Sequence, residues 1–326
     1  MKATCVATSN IAFVKYWGRI DDRLRLPMNG SVSMNISGAT TTTTVEFNST
    51  LGVDVVELQG KTLDERQVQR VSKHLDRIRQ LGGFTTPAKV ISHNNFPMGA
   101  GIASSASAFA ALTVAGTAAA GLDLSERDLT ILARQGSGSA CRSVPAGFVQ
   151  WHYGETNEAS YAEEIAPPEH WDLYDLIAVV QSEHKTVSST QGNALVSTSP
   201  FNEVRVQEAH QSVNTLRRAI LDKDFTTFGE ETEREAIRLH VIAMTSRPPI
   251  FYWSPTTLAI IQAVSQWRTE GLESYYTIDA GANVHVIVQP WDVERLAERL
   301  ATINGVQEVL RNQPGNGAQL LNEHLF

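Results

Sequence analysis

A glycine- and serine-containing segment, residues 94–108 (NNFPMGAGIASSASA), runs directly into an alanine-rich stretch with helical periodicity. Gly99 and Gly101 let the backbone approach a ligand closely, and the first turn of a helix has N–H groups without intrahelical partners beside its positive dipole end. Ser104 and Ser105 add two hydroxyl groups where a single capping residue would suffice. The segment is typical of a phosphate-binding loop, although an ordinary helix start explains its composition equally well.

Composition excludes several classes of protein. The chain has 326 residues, 42% hydrophobic and 19% charged, which is enough for two medium-sized domains. A net charge of -8 without a run of Lys or Arg argues against a nucleic-acid partner, because such binding needs a basic stripe. Neither a long apolar segment nor a secretion-signal pattern is visible, and two cysteines are too few for a disulfide framework. We expect a soluble cytoplasmic protein without a membrane partner.

Strand-like and helix-like stretches alternate irregularly, which favours an α+β fold over a doubly wound sheet. Apolar or alternating residues predict strands at residues 4–8, 41–47, 53–58, 88–92, 147–152, 175–181, 275–279 and 284–288. Helical periodicity predicts helices at residues 68–81, 104–120, 126–134, 203–221, 225–242, 256–269 and 292–301. A polar stretch at residues 181–199 predicts the domain junction. We place the two domains at residues 1–183 and 184–326.

The 94–108 segment resembles the ATP-binding signature of the GHMP kinases, Pro-x-x-x-Gly-Leu-x-Ser-Ser-Ala. The matching residues are Pro97, Gly101, Ser104, Ser105 and Ala106, with Ile102 in place of the leucine. A Walker-type loop is excluded because the Gly-Lys-Ser/Thr ending is missing. The resemblance implies the two-domain GHMP kinase fold, a ribosomal protein S5 domain 2-like N-terminal domain followed by a ferredoxin-like C-terminal domain. It also implies ATP binding by Asn95, Pro97, Gly99, Gly101, Ser104 and Ser105.

Four further segments resemble the mevalonate diphosphate decarboxylases of this family more than its kinases. They comprise residues 10–18 with 26–29, residues 136–143, residues 187–192 and residues 279–283. The resemblance covers essentially the whole chain and is least supported at the C-terminus. It implies an ATP-dependent decarboxylase of a phosphorylated mevalonate, active in isoprenoid biosynthesis and assembled as a homodimer.

Such an enzyme transfers the γ-phosphoryl group of ATP to the substrate 3-hydroxyl, and phosphate then leaves with carbon dioxide. Asp279 is the expected carboxylate beside that hydroxyl, although a lone Asp-x-Gly aspartate is more often a turn residue. Arg142 is expected to hold the substrate carboxylate, with Asn10 as its neutral neighbour. Lys15 lies in an apolar run where an unpaired ammonium is costly, and we predict that it pairs with Asp279.

The remaining predictions concern phosphate groups. Tyr16 and Ser189 are expected at the substrate phosphate. Ser137 and Ser139 are expected to position the γ-phosphoryl group and the carboxylate, unless they only form a small-residue turn. The chemistry implies Mg²⁺, which neutralises the β- and γ-phosphates, but no carboxylate cage or histidine spacing predicts a metal site of the protein's own.

The sequence departs from the diphosphate-specific pattern at Arg19, Gly30 and Ala282, where lysine, serine and proline are usual. An arginine that reaches the distal phosphate in this family aligns with Asp76 or, in a shifted register, with His74. Because neither residue carries a permanent positive charge, we predict mevalonate 5-phosphate as the substrate, giving isopentenyl phosphate, with Arg19 and His74 in its binding site.

Three alternatives remain. The first is mevalonate 5-diphosphate as substrate, giving isopentenyl diphosphate. The second is a mevalonate 3-kinase that does not decarboxylate, and the third is a non-catalytic ATP-binding protein. The joint presence of Asp279 and Arg142 favours the decarboxylase, because together they serve phosphoryl transfer and loss of carbon dioxide.

Overall fold

Two large sheets and one two-stranded sheet form in the computed structural model, which describes residues 1–96, 104–180 and 187–326. The strands are β1 (Lys2–Val14), β2 (Arg19–Asp21), β3 (Leu26–Pro27), β4 (Ser31–Phe47), β5 (Val55–Leu58), β6 (Lys61–Thr62), β7 (Ala88–Asn94), β8 (Phe148–Trp151), β9 (Ala162–Ala166), β10 (Tyr174–Val179), β11 (Ser274–Thr277), β12 (Val284–Val288), β13 (Glu308–Asn312) and β14 (Gln319–Leu321). The helices are α1 (Glu65–Gly82), α2 (Ser104–Ala119), α3 (Glu126–Gly136), α4 (Ser189–Leu195), α5 (Asn202–Asp222), α6 (Phe225–Thr245), α7 (Pro255–Thr269) and α8 (Val293–Ala301).

The first sheet is built on the long antiparallel pair β1 and β4, which runs from Lys2 opposite Glu46 to Val14 opposite Val32. Its order is β14-β1-β4-β7-β5-β6, and β8 and β9 continue from the other end of β4. Helix α2 packs on β1 and β4 and is buried along most of its length. Its alanines make this close approach possible because they add little bulk between the helix backbone and the sheet.

The second sheet has the antiparallel order β11-β12-β10-β13. Alternate residues of its strands face opposite ways, so one face packs with α7 and α8 while the other packs with α5, α6 and β1. Phe13 of β1 meets Phe228 of α6 edge-on, with ring centroids 4.7 Å apart. The two sheets therefore share a core, and the end of β1 lies against the second half of the chain.

The fold confirms the α+β prediction and contains every predicted strand and helix. Strand β10 lies before the predicted domain boundary but pairs with strands after it, and β14 returns to pair with β1. The boundary at residue 183 falls in the segment 181–186, outside the described residues, and stays a prediction. Within the described part of the chain, no helix combines the length and apolarity needed to cross a membrane.

Candidate active site

Lys15 and Asp279 form an ion pair where the chain leaves β1 and where the loop after β11 begins. The distance from Lys15 Nζ to Asp279 Oδ1 is 2.7 Å, which confirms the predicted pair. Lys15 Nζ also donates a hydrogen bond of 2.6 Å to the carbonyl of Ala12. The Lys15 side chain is 1% exposed and that of Asp279 28%. The lysine is therefore enclosed, while one edge of the carboxylate remains open to a ligand.

The pair keeps Asp279 ionised. Burial alone raises the pKa of Asp279, but the charge and hydrogen bond of Lys15, together with the charges of His285 and Arg142, hold the pKa below its ordinary value. Burial lowers the pKa of Lys15, and Asp279 offsets part of that effect. Asp279 is thus an anion throughout the physiological range, as a group that accepts a proton or hydrogen bond from a hydroxyl must be.

Arg142 is a buried cation that has no carboxylate at ion-pair distance among the described residues. Its Nε and Nη2 donate to Asn10 Oδ1 over 3.3 and 3.0 Å, and its Nη1 donates to Ser31 Oγ over 2.8 Å. A guanidinium has five N–H donors, so one on each terminal nitrogen is left by these contacts. Because a buried unpaired cation is costly, this arrangement favours an anionic ligand with two acceptor oxygens.

Asn10 orients Arg142 and joins β1 to the 3₁₀ turn Gly138–Ser143. Its amide nitrogen donates to the Ser139 carbonyl over 3.2 Å and to Ser143 Oγ over 2.8 Å, so the amide oxygen must face Arg142. Ser139 therefore contributes its carbonyl to this contact. Asn10 acts on the site through the arginine.

Ser137 connects the same turn to the start of α2. Its hydroxyl lies 3.2 Å from that of Ser105, and both side chains are at least partly buried. Ser104 and Ser105 also line a cavity of about 250 Å³ between α1, α2, β5 and β7. The rest of the lining is mainly apolar and includes Val56, Leu58, Leu63, Val90, Phe109 and Leu112. A flat apolar group can therefore be held beside the predicted phosphate loop.

The structure describes only part of the predicted phosphate loop. Pro97, Gly99 and Gly101 lie outside the described residues. Asn95 follows the end of β7 and is exposed, and its side-chain oxygen accepts a 2.8 Å hydrogen bond from the N–H of Thr40 on β4. Asn95 thus stabilises the strand end from which the loop departs.

Tyr16 and Arg19 border the 3₁₀ turn. Arg19 Nε donates to the Tyr16 hydroxyl over 2.6 Å, and the Tyr16 ring packs on Trp151 with centroids 4.6 Å apart. A Cβ added to Gly138 would lie 2.6 to 2.7 Å from the ring and hydroxyl of Tyr16. Only glycine fits there, so the turn and the tyrosine are fixed against each other.

Ser189 is the exposed first residue of α4. Asn193 donates to its carbonyl over 2.8 Å and accepts a 2.8 Å hydrogen bond from the Gly18 N–H. Helix α4 is therefore tied to the segment that carries Tyr16. The structure brings Ser189 to the border of the site.

The two positions compared with the family's phosphate-binding arginine, His74 and Asp76, carry no positive charge. His74 is fully buried, and its Nε2 lies 2.8 Å from the Thr113 hydroxyl. Burial, followed by repulsion from three arginines, lowers its pKa to about 3, so the ring is neutral. Asp76 is 65% exposed and pairs with Arg79. A neutral His74 and an Asp76 paired with Arg79 supply no positive charge for a substrate phosphate, and the role of His74 in the substrate site stays a prediction.

Sequence reasoning named Arg19 but missed the other three arginines of its cluster, Arg25, Arg70 and Arg77. Their charges act on one another: partial loss of water, then repulsion from Arg25 and Arg19, lowers the pKa of Arg70 to about 10. Burial and then Arg19 lower the pKa of Arg25, and Arg77 acts on it as well. The arginines come from the β2–β3 hairpin and from α1. Because these segments are separate in the sequence, no motif indicates that their arginines lie together.

Among the residues that the structure describes, no group of three or more His, Cys, Asp or Glu side chains could hold a metal ion. Ser104 and Ser105, whose hydroxyls are oxygen donors, line the cavity beside α2. A cation that arrives with phosphate groups fits this arrangement better than one held by protein carboxylates.

Two family models match the chain: a Diphosphomevalonate decarboxylase-like N-terminal domain over residues 7–162 and a Mevalonate 5-diphosphate decarboxylase C-terminal domain over residues 175–321. The diphosphomevalonate decarboxylase of Candida albicans is 35% identical, with 99% of each chain covered. The phosphomevalonate decarboxylase of Haloferax volcanii is 32% identical, with 92% of each covered. A solved structure described as a complex with MVAPP, AMPPCP and magnesium is 37% identical, with a TM-score of 0.93 and coverage of 98% of this chain and 99% of that one. The chain belongs to the diphosphomevalonate decarboxylase family.

Proposed function

We propose that this chain converts mevalonate 5-diphosphate and ATP into isopentenyl diphosphate, carbon dioxide, ADP and phosphate. Family membership makes the chain an ATP-dependent carboxy-lyase of a phosphorylated mevalonate. The observation that carries the proposed chemistry is the combination of Asp279, open on one edge, with Arg142, a buried cation that lacks a carboxylate partner among the described residues. The two side chains lie within electrostatic reach of each other.

Phosphoryl transfer is the first step. The open edge of Asp279 accepts the proton of the substrate 3-hydroxyl as that oxygen attacks the γ-phosphorus of ATP, and the bond from phosphorus to ADP breaks. Lys15 keeps the carboxylate ionised and fixed in place. The poor leaving group hydroxide is thereby replaced by phosphate.

Decarboxylation follows. The two remaining N–H groups of Arg142 hold the substrate carboxylate, and Asn10 and Ser31 fix the plane of the guanidinium. The bond between C3 and the phosphate oxygen breaks with loss of phosphate. The bond to the carboxylate carbon breaks as well, its electron pair forms the new double bond, and carbon dioxide leaves.

The nucleotide fits the cavity beside α2. The apolar lining accepts the adenine ring, and the helix start with Ser104 and Ser105 faces its phosphates. Mg²⁺ supplies charge neutralisation at the β- and γ-phosphates when bound. The solved relative described with AMPPCP and magnesium supports this pairing of nucleotide and metal.

The arginine cluster supports the diphosphate over the predicted monophosphate. The monophosphate prediction rests on missing positive charge at His74 and Asp76, but Arg25, Arg70 and Arg77 supply positive charge from other positions. The name of the Candida albicans relative also favours the diphosphate, whereas that of the Haloferax volcanii relative favours the monophosphate. The 5-phosphate prediction is therefore not confirmed.

The test is a parallel assay of ADP and carbon dioxide release with mevalonate, its 5-phosphate and its 5-diphosphate. We expect the highest kcat/KM with the diphosphate and one carbon dioxide per ADP. A higher kcat/KM with the monophosphate would reject the substrate choice. ADP without carbon dioxide would identify a 3-kinase, and binding without turnover would identify a non-catalytic ATP-binding protein.

A further inference from the structure

The main chain of Lys15 is held by side chains from outside its own sheet. Its carbonyl accepts hydrogen bonds from Arg205 Nη2 and, over 3.0 Å, from Asn29 Nδ2. Its N–H donates to Glu235 Oε2 over 3.3 Å. Lys15 is the first residue after β1, so the backbone partners of the strand no longer fix it. Helices α5 and α6, which carry Arg205 and Glu235, fix it instead.

Arg205 donates hydrogen bonds to the backbone carbonyls on both sides of Tyr16. It is 3% exposed, and its Nη1 donates to the Trp17 carbonyl over 3.0 Å and to Asn29 Oδ1 over 2.6 Å. Its Nη2 also lies 3.4 Å from Glu235 Oε2. A guanidinium spans these acceptors because its N–H groups lie in one rigid plane. The carbonyls of Lys15 and Trp17 are thereby held in one orientation.

Glu235 is fully buried and connects the contacts around Lys15 and Arg205 to a further arginine on α6. Its Oε1 accepts a 3.1 Å hydrogen bond from Arg238. A buried ion pair adds little stability over a well-packed apolar pair of the same size. Here the pair satisfies the backbone of a residue whose side chain touches the open carboxylate. The ion pair between Arg205 and Glu235 is therefore better explained by the positioning of Lys15 than by the stability of the fold.

The charge of Glu235 also acts on Lys15. The ionisable groups that act on the Lys15 ammonium are Asp279, Arg142, Glu235 and His240. Burial lowers the pKa of Lys15, Arg142 lowers it further, and Glu235 with Asp279 opposes them. His240 is neutral at physiological pH, since burial lowers its pKa to about 3. Glu235 is thus the second anion that favours the protonated lysine.

We propose that Arg205 and Glu235 are positioning residues of the reaction, which hold the backbone of Lys15 so that its ammonium stays in contact with Asp279. This inference rests on the proposed function for the role of Asp279. Helices α5 and α6 thereby take part in phosphoryl transfer. Neither Arg205 nor Glu235 contacts the open edge of the Asp279 carboxylate itself.

Two variants test the proposal separately. Glu235→Gln keeps the shape and an acceptor oxygen but removes the charge, so we expect at least a tenfold lower kcat for ADP release at neutral pH. The basic limb of its pH profile should move to lower pH, because Lys15 then loses its proton more readily. Arg205→Lys keeps the charge but loses the planar fork, so its kcat should fall with the basic limb unmoved. The KM for ATP should stay within about threefold in both.

Arg234→Gln is the matched control, because Arg234 neighbours Glu235 in sequence but is 57% exposed, and its ion pair is with the buried Glu231. Among the residues that the structure covers, its side chain forms no hydrogen bond or ion pair with Lys15, Arg205 or Glu235. We expect kcat within twofold of the wild type. A purely structural role predicts a lower melting temperature in the two test variants with unchanged kcat per folded molecule and an unmoved basic limb, and this result would overturn the proposal.

A crystal structure of each variant gives a readout that does not depend on turnover. In Arg205→Lys we expect the distance between Lys15 Nζ and Asp279 Oδ1 to lengthen beyond the 2.7 Å of the wild type. An unchanged distance in both variants, with unchanged kcat, contradicts the inference. ADP release tests positioning, whereas carbon dioxide release by the wild type tests the proposed function, so the two ideas fail by different measurements.

Discussion

The residues of the site differ in how far sequence could identify them. The pair of Lys15 and Asp279 could be predicted from sequence. A lysine in an apolar run needs an anionic partner, and the family resemblance pointed to Asp279. Arg205 and Glu235 could not be predicted, since a charged residue on a long helix is usually a surface residue and nothing in its spacing marks burial. Their role follows only from contacts across 30 to 220 positions of the chain.

Asp279→Asn should abolish turnover and leave ATP affinity within a few-fold. The amide has the same shape but cannot accept the proton of the 3-hydroxyl, and it leaves Lys15 without its anion, whereas the nucleotide cavity is formed by other elements. ADP release and calorimetric titration with an ATP analogue measure the two effects. Asp123→Asn, on an exposed loop, is the control and should behave as wild type. Loss of nucleotide binding in Asp279→Asn would place this carboxylate in the ATP site.

Arg25→Gln should reduce kcat/KM for the diphosphate by roughly ten- to a hundredfold, since a hydrogen bond between charged groups contributes about 1.5 to 3 kcal/mol. The loss should be smaller for the monophosphate, which has one phosphate fewer to hold. Arg66→Gln is the control, an exposed arginine of α1 outside the cluster. Equal losses for both substrates would exclude Arg25 from recognition of the distal phosphate.

The elements were predicted best where mostly apolar residues continue along the whole element, as in β12 and α2. The ends of β1 and β4 were missed because their side chains are polar yet buried, as with Asn10, Ser31, Ser33 and Asn35. These buried side chains are polar because the strand ends line the site, so the sequence loses the alternation of apolar and polar residues by which a strand is recognised. Helix α4 had a signal, since Ser188 and Gln191 form a capping box. Strand β14 had none, because its three residues are all exposed.

The 3₁₀ turn is the element whose shape the site depends on most directly. Gly138→Ala should raise the substrate KM by at least about tenfold, because the new methyl group would overlap Tyr16 and displace it from Arg19. Steady-state kinetics check this. Gly52→Ala is the control, since nothing lies within 4 Å of its added Cβ. Unchanged kinetics in Gly138→Ala would mean that Tyr16 is free to move without consequence.

For the whole molecule, the irregular order of strands and helices predicted the α+β class and the resemblance predicted the family, but long-range pairing had to come from the structure. The C-terminal residues add β14 to the edge of β1 at Thr4, Cys5 and Val6, and Lys2 donates to the Phe326 carbonyl over 2.8 Å. These contacts lie at the end of β1 that is remote from Lys15. The predicted homodimer stays a prediction, which light scattering tests by a mass twice the chain's 35.7 kDa.

Removal of residues 319–326 should therefore lower the melting temperature by a few degrees and leave kcat within about twofold. Thermal unfolding and ADP release measure both on one preparation. A truncation that stops before Glu323 is the control, because it keeps β14 and loses only the final segment. A large fall in kcat with unchanged stability would connect the C-terminus to the site.

The dependence of Lys15 on distant helices has a consequence during synthesis. Lys15 and its partner Asp279 are separated by 264 positions, and Glu235 comes 220 positions after Lys15. The ribosome therefore completes the nucleotide cavity long before it supplies the carboxylate or the helix that fixes the lysine. The ion pair between Lys15 and Asp279 can therefore form only after most of the 326 residues have been joined.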